Sequence, residues 1–291
     1  DVVFDTACFI ILTLVLFVVA YPLYWVIISS ISAPSAVSSG KVLLHPIGFT
    51  LKGYAEVFKN DQVMRGFLNS LIITFCGVMV NLIVTLPTSY ALSRSNFSGK
   101  KPITIFYLIT MFFSGGLIPT YLVIQRLQML NTIWALILPG CLSVYNMIVA
   151  RTFFKSNISE ELYEAAEIDG CTQARFFFQI ALPLSKAIIA ILVLYYGVGH
   201  WNSYFSALVY ISDKAKYPLQ LVLRNILITN QTALSQTATT AAARAALQEK
   251  QQLIDVMKYS LIIISSIPVL VMYPLVQKHF VKGVMIGSMK G

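Results

Sequence analysis

Residues 157–187, NISEELYEAAEIDGCTQARFFFQIALPLSKA, decide the fold, because no other stretch combines so many charges with a helical pattern. Asn157 or Ser159 can cap a first helix, and glutamates then lie toward its N-terminal half, where the helix dipole favours negative charge. Asp169 and Gly170 are predicted to end this helix. The stretch therefore begins with a short, capped helix.

A second short helix is predicted after that turn. Thr172 can cap it, its pattern runs to Ile180, and Pro183 marks the turn into the next apolar stretch. The sequence thus predicts a helix-turn-helix over residues 157–183.

The rest of the chain is strongly apolar. Hydrophobic residues make up 57% of the 291, charged residues make up 11%, and the mean hydropathy is +0.75. A soluble domain does not carry such a composition. The net charge of +9 comes from scattered Lys and Arg without a basic stripe, so we expect no nucleic-acid partner. We expect membrane lipid to surround much of the chain.

Gaps between charged residues locate the spans, because a charge near the bilayer centre costs on the order of 2.5 to 3.5 kcal/mol. Six gaps hold the roughly 20 residues that a transmembrane helix needs. A further gap, from Arg224 to Arg244, is too polar and is assigned to a loop. The sequence predicts an all-α membrane protein with one domain over residues 1–291 and spans near 7–30, 67–92, 103–124, 133–152, 185–211 and 259–277.

Basic residues in the short loops set the predicted orientation. The loop from Arg94 to Lys101 carries three basic residues and the C-terminal tail carries three lysines, whereas the loop around Arg126 carries one. By the positive-inside rule both termini and the helix-turn-helix are cytoplasmic. The loops 31–66 and 212–258 then lie outside.

The helix-turn-helix resembles the EAA loop of ABC-importer permeases. The resemblance rests on the identity and spacing of Glu164, Ala165, Ala166, Asp169, Gly170, Ile180, Leu182 and Pro183. It implies the type I ABC-importer permease fold, in which the first short helix docks into a cleft of an ATPase and transmits ATP-driven closure to the spans. Small alanines allow close helix approach, and glycine permits the tight turn.

Longer stretches narrow the resemblance. Residues 115–139, 199–211, 217–224 and 273–291 resemble carbohydrate permeases of the maltose-importer type, within them the LplC and YtcP-like group associated with oligosaccharide uptake in bacteria. This implies import of a carbohydrate across the bacterial cytoplasmic membrane by alternating access, with a non-sugar solute as the alternative. It also implies a second homologous permease, two copies of an ABC ATPase and an extracytoplasmic solute-binding protein toward which loop 212–258 reaches. A homodimer of this chain is the alternative pairing.

ATP hydrolysis is assigned to another chain. No GxxxxGK[ST] motif occurs, since Gly40-Lys41 lacks the upstream glycine. We expect this chain to bind no cofactor or metal, and the partner ATPase to bind ATP and Mg²⁺. An intramembrane enzyme is disfavoured because the three histidines lie far apart. A secondary transporter is disfavoured because the chain shows no internal repeats and no Asp or Glu in the predicted spans.

Candidate substrate contacts cluster in the fifth predicted span. A sugar needs aromatic faces for its C–H surfaces and neutral hydrogen-bonding groups for its hydroxyls. At about 100° per residue, Tyr196, His200 and Ser203 share one helix face. Interhelical hydrogen bonding or interfacial anchoring are the alternative roles for such residues. The candidate substrate path is Asn146, Tyr196, His200, Trp201, Asn202 and Tyr204, with Tyr145 and Asn81 as weaker candidates.

Overall fold

The computed structural model of the chain describes residues 2–233 and 241–288. Helices and their connecting turns make up these residues, and no strand occurs among them. The predicted all-α fold class is therefore confirmed for this part of the chain. Residues 234–240, near the middle of the predicted outer loop 212–258, lie outside the described part.

Two long helices lie in the first part of the chain, and the helices of the middle part are shorter. The first part contains α1 (Val2–Ser30), α2 (Pro34–Ser38), α3 (Lys52–Lys59) and α4 (Asp61–Ser93). The middle contains α5 (Lys100–Phe112), α6 (Leu117–Arg126), α7 (Trp134–Ile137), α8 (Val144–Asn157), α9 (Glu160–Ile168), α10 (Gln173–Phe176), α11 (Leu182–Leu184), α12 (Lys186–Trp201) and α13 (Phe205–Tyr210). The last helices are α14 (Leu219–Ala233) and α15 (Ala241–Ser288). Short 3₁₀ helices occur at Leu138–Gly140 and Lys214–Lys216, and the π-helical segment Phe177–Ala181 joins α10 to α11.

Among the described residues, three helices are long and apolar enough to cross a membrane: α1, α4 and residues Gln251–Pro274 of α15. Three further pairs pass the same test only when their two helices are taken together. The bend is 113° between α5 and α6, 52° between Trp134–Gly140 and α8, and 80° between Gln173–Leu184 and α12. Counting each bent pair as one span gives up to six spans, by length and composition.

Two of the bends and one further break divide stretches that the sequence predicted as single spans. In the stretch 103–124, Phe113 is extended and Gly116 has a φ of 84°, a conformation that glycine adopts without steric cost. In the stretch 133–152, Pro139 and Gly140 end the first helix. In the stretch 185–211, α12 ends at Trp201 and α13 is a separate helix.

Both predicted outer loops contain helices. Loop 31–66 holds α2, α3 and the start of α4, and loop 212–258 holds α14 and the start of α15. Residues 241–258 are rich in Ala and Gln, which are strong helix formers. The polarity of the gap from Arg224 to Arg244 argued against a membrane span and not against a helix.

The chain divides into two compact units, of which the first contains Asp1–Phe67 and Leu219–Ile267. Its core holds Ile28, Val42 and Val256, each at most 3% exposed. The indole Nε1 of Trp25 donates to the carbonyl of Val42 at 2.8 Å, and its ring contacts Tyr259 edge-on. These contacts fix the C-terminal end of α1, whereas the apolar length of that helix stays exposed.

The second unit contains Leu68–Pro218 and Pro268–Gly291, and its core lies between α4, α8 and the helices that follow. Along α4, small or polar residues recur at every fourth position: Gly77, Asn81, Thr85 and Ser89. The last three are fully buried. Residues four apart share one helix face, so α4 presents a narrow polar stripe to the elements that form the candidate sites.

Candidate functional site

The first candidate site is the helix-turn-helix, and α9 is its first helix. Ser159 is the N-cap, and its hydroxyl accepts a hydrogen bond from the backbone N–H of Leu162. At the other end the N–H of Cys171 donates to the carbonyl of Ala166, and the N–H of Gly170 donates to that of Glu167. This pair of bonds is a Schellman motif. It places Gly170 at a φ of 75°, so the sequence-predicted stop at Asp169-Gly170 lies at the end of α9.

The helix α9 buries one side and exposes the other. Tyr163 is buried and contacts the ring of Phe176 edge-on at 5.2 Å between centroids. Glu164 and Ala165 are exposed, and the side chain of Ile168 is 87% exposed. The exposed side of α9 therefore presents Glu164, Ala165 and Ile168.

The second helix of the pair contains a π-helical segment. Thr172 caps it through the N–H of Arg175. The consecutive residues Phe176 and Phe177 are both buried, and both rings contact Tyr90 of α4, at 6.4 and 4.9 Å between centroids. π-helical segments inside α-helices are rare, and this one contains Phe177, whose ring packs against α4.

The helix-turn-helix ends at a sharp bend. Ser185, buried at the bend, donates from its hydroxyl to the carbonyl of Ala181. Pro183 is exposed just before the bend, and Ile180 and Leu182 pack partly buried against the core of this unit. The eight residues predicted for coupling therefore form two sets: five are exposed and three pack partly buried against the core. The exposed residues are Glu164, Ala165, Asp169, Gly170 and Pro183, and the others are Ala166, Ile180 and Leu182.

Arg94, at the C-terminal end of α4, joins that helix to the start of α9. One Nη donates to the carbonyl of Ile158 at 2.8 Å, and the other lies 3.5 Å from the carboxylate of Glu160. The hydroxyl of Ser95 donates to the same carboxylate. The guanidinium also lies over the ring of Tyr90, 5.2 Å from its centroid. The Arg94 side chain is only 11% exposed, whereas that of Glu160 is 36% exposed, so the guanidinium is shielded from water and the carboxylate is partly hydrated.

We expect Arg94→Gln to loosen α9. The change removes the contacts to Ile158 and Glu160, a loss of about 1–3 kcal/mol for hydrogen bonds of a shielded charge. Hydrogen exchange followed by mass spectrometry on the solubilised protein should show faster exchange over residues 158–168. The control is Lys59→Gln, which removes an exposed pair with Glu56 and should change nothing. Equal exchange of α9 in all three proteins would show that Arg94 does not hold this helix.

The second candidate site is a cavity of about 330 Å³. It lies beside the break between α7 and α8, in the predicted span 133–152. Its lining comes from the break between α7 and α8 and from one face of α12. The lining residues are Leu136, Gly140, Ser143, Asn146, Tyr195, Tyr196, Gly199, His200 and Ser203. Hydroxyl, amide and imidazole groups beside two aromatic rings are the chemistry that a sugar requires, and no Lys, Arg, Asp or Glu is among them.

Side chains from α4 and α12 satisfy the backbone groups that the break leaves unpaired. The Nδ2 of Asn81 donates to the carbonyls of Gly140 and Cys141, at 2.7 and 2.9 Å. The backbone N–H of Ser143 donates to the hydroxyl of Tyr196, which also bonds to the hydroxyl of Thr85. In hydrocarbon an unsatisfied backbone group costs several kcal/mol, so these side chains stabilise the break.

His200 is held against α4 by two residues of the polar stripe. Its Nε2 lies 2.7 Å from the Oδ1 of Asn81. A Cβ atom at Gly77 would lie 2.5 Å from the same nitrogen. Only a glycine at position 77 therefore leaves room for the imidazole.

Three of the six predicted path residues, Asn146, Tyr196 and His200, line this cavity. The other three do not line it: Trp201 is buried, Asn202 is exposed, and Tyr204 is exposed with its ring against Phe205. Asn81, a weaker candidate, stabilises the break, whereas Tyr145 is exposed and outside the lining.

Sequence reasoning missed Gly140, Ser143 and Thr85. The signal for the first two was present in Leu138-Pro139-Gly140, a proline followed by a glycine, and in Ser143, which caps α8 through the N–H of Asn146. Thr85 carried no signal without its spacing to Asn81.

Comparison with individual known proteins shows the family to which the chain belongs. No protein-family model matches it. Over 270 residues the chain is 37% identical to the polygalacturonan/rhamnogalacturonan transport system permease protein YtcP of Bacillus subtilis (strain 168), covering 93% of this chain and 92% of YtcP. It is 40% identical over 270 residues to protein LplC of the same organism, covering 93% of this chain and 89% of LplC. A crystal structure of a bacterial ABC transporter involved in the import of the acidic polysaccharide alginate matches with a TM-score of 0.86 and 28% identity, over 96% of this chain and 97% of that chain.

The helical fold, its apolar helices and these similarities define a membrane permease subunit of an ABC importer. More closely, the chain belongs to the family of carbohydrate ABC-importer permeases that includes YtcP and LplC. The resemblance of the sequence to carbohydrate ABC-importer permeases of the LplC and YtcP-like group is thereby confirmed.

Proposed function

We propose that this chain is one of two permease subunits of an ATP-driven importer that moves an oligosaccharide into the bacterial cytoplasm by alternating access. The observation that carries the proposal is the identity of 37% to YtcP and 40% to LplC over 93% of the chain. YtcP is named for polygalacturonan and rhamnogalacturonan, and the solved neighbour imports alginate. Oligosaccharides of acidic polysaccharides are therefore the first substrates to test.

The proposed partners are a second homologous permease, two copies of an ABC ATPase and an extracytoplasmic solute-binding protein. The sequence of this chain has no P-loop, so the ATPase supplies the site for ATP and Mg²⁺ and this chain is not itself the enzyme. Both termini and the helix-turn-helix are assigned to the cytoplasmic side of the membrane by the positive-inside rule, because basic residues concentrate in the short loop from Arg94 to Lys101 and in the C-terminal tail.

Coupling to the ATPase is assigned to α9 and its turn. The exposed Glu164, Ala165 and Ile168 form the surface that the ATPase would contact. The ring of Tyr163 packs on Phe176, which in turn packs on Tyr90 of α4. Arg94, directly after α4, contacts Glu160 at the start of α9. A displacement of α9 is therefore passed to a membrane helix through packed side chains and hydrogen bonds.

The substrate path is assigned to the cavity beside the broken fourth span. Tyr195 offers an exposed aromatic face, and Asn146, His200 and Ser203 offer neutral hydrogen-bonding groups. Trp201, Asn202 and Tyr204, which lie outside the lining, are assigned to helix packing and to the ends of the span.

The deciding experiment is to tag the chain, solubilise the membrane in mild detergent and identify the copurifying proteins by mass spectrometry. The complex is then reconstituted into liposomes, and uptake of trigalacturonate, rhamnogalacturonan and alginate oligosaccharides and maltotriose is measured with and without ATP. We expect a P-loop ATPase and a second permease in the complex and ATP-dependent uptake of at least one sugar. Isolation of this chain alone, carrying a solute without ATP, would contradict the proposal.

A further inference from the structure

The hydrogen bonds of Asn81 fix which atom of its amide faces His200. Backbone carbonyls only accept hydrogen bonds, so the group that bonds to the carbonyls of Gly140 and Cys141 must be the NH₂ of Asn81. Both of its hydrogens are used by these two bonds. The Oδ1 that remains is an acceptor, so the Nε2 of His200, 2.7 Å away, must be the donor.

This assignment determines what His200 offers to the cavity. A neutral imidazole that carries its proton on Nε2 has an acceptor at Nδ1. The ring atoms that a Cβ at Gly77 would approach are Nε2, Cε1 and Cδ2. These are the three atoms nearest to that Cβ, so the edge of the imidazole that carries Nε2 faces α4 and Nδ1 lies farther from it.

The surroundings of His200 suit a hydroxyl and not a carboxylate. The ring lines the cavity beside the side chains of Ser143, Asn146 and Ser203 and the exposed ring of Tyr195. Lys and Arg, the usual partners of a carboxylate, are absent from the lining residues. The donor that matches an acceptor nitrogen in such a wall is a sugar O–H.

We propose that the Nδ1 of His200, in the tautomer that Asn81 sets, accepts a hydrogen bond from one hydroxyl of the transported sugar and selects for that hydroxyl. This inference rests on the proposed function and on the cavity as its substrate path. It assigns the acceptor role to one atom and predicts discrimination between sugars that differ in one hydroxyl. A role of His200 in helix packing alone would not produce this discrimination. A sugar that lacks the matching hydroxyl cannot make this bond and leaves the acceptor covered without a partner when it binds, so it should be transported more slowly.

The test compares substrate analogues in reconstituted full importers. The probe is trigalacturonate, or the trisaccharide of the uptake panel that the wild type carries fastest, together with analogues in which single hydroxyls are replaced by hydrogen. In the wild type we expect one analogue to be transported roughly tenfold more slowly, the size of effect that one unsatisfied shielded group produces. In His200→Phe, which keeps a ring and removes both nitrogens, that difference between sugar and analogue should vanish.

His200→Gln is the conservative variant, because its amide can donate to Asn81 and still present an acceptor oxygen. It should keep a reduced preference for the same hydroxyl. An unchanged analogue profile in His200→Phe, or no analogue that differs from the parent sugar in the wild type, would overturn the assignment. If His200→Phe does not assemble, His200→Leu is measured in its place, and failure of both to assemble would make His200 a folding residue and the inference wrong. Absence of any ATP-dependent sugar uptake by the wild type would instead refute the proposed function.

Discussion

Gly77→Ala is expected to destabilise the assembled permease and to lower transport strongly. The added Cβ would lie 2.5 to 2.7 Å from three atoms of the His200 ring, well inside van der Waals contact. The ring is held by Asn81 and cannot withdraw without breaking that bond. Overpacking of a well-filled interface costs typically about 1–3 kcal/mol, and the broken bond adds to it. The helix propensity gained from alanine, about 1 kcal/mol, is smaller. The first measurement is the temperature at which half of the solubilised complex has unfolded. The second is sugar uptake by the complex in liposomes.

Two other glycines of the same unit provide matched controls. At Gly197 an added Cβ would meet the terminal methyl of Met272, a flexible group that can move aside. At Gly199 nothing lies within 4 Å. Gly197→Ala should therefore be close to neutral in stability, and Gly199→Ala should be slightly stabilising through helix propensity. A Gly77→Ala complex that melts at the wild-type temperature would show that the contact between α4 and His200 is not tight.

The sequence predicted the elements that depend on local chemistry. The caps Ser159 and Thr172 and the stop at Asp169-Gly170 lie where they were predicted, because capping uses side chains within four residues of the groups that they satisfy. The apolar stretches were found from their length and missing charges, which reflect the solvent and not the neighbouring helices.

The bends and the cavity could not be predicted in the same way. A stretch without charges has the same composition whether its helix is straight or turns through 113°, as α5 and α6 do. What stabilises the break at Gly140 is Asn81, 59 residues earlier in the chain. Hydropathy placed that asparagine in a span but could not identify the carbonyls to which it donates hydrogen bonds. The spacing of Tyr196 and His200 predicted that they share one face of a helix. The residues from α7, α8 and the break between them, which line the other side of the cavity, could be identified only from the structure.

Replacement of Gly170 with valine is expected to uncouple ATP hydrolysis from transport. Gly170 has a φ of 75° and open space around its missing Cβ, so a side chain there meets no neighbour and only the backbone conformation is strained. For L-residues this left-handed conformation costs roughly 1–2 kcal/mol, more when the side chain is β-branched. To relieve that strain, the Schellman turn must open, which redirects the end of α9 and the exposed Ile168 beside it. We expect transport to fall roughly tenfold or more, while the four-subunit complex still forms and hydrolyses ATP without stimulation by the loaded binding protein.

Gly40 separates this effect from simple strain. Its φ is 69°, and nothing lies within 4 Å of its missing Cβ, so Gly40→Val strains the backbone to the same degree in a segment far along the chain from α9. It should melt at a lower temperature as Gly170→Val does, yet keep the ratio of sugar transported to ATP hydrolysed. Gly170→Asn should keep that ratio as well, because asparagine tolerates the left-handed conformation. If Gly170→Val and Gly40→Val lose transport and ATP hydrolysis in equal proportion, the turn after α9 acts only through stability, and the coupling role assigned to it is wrong.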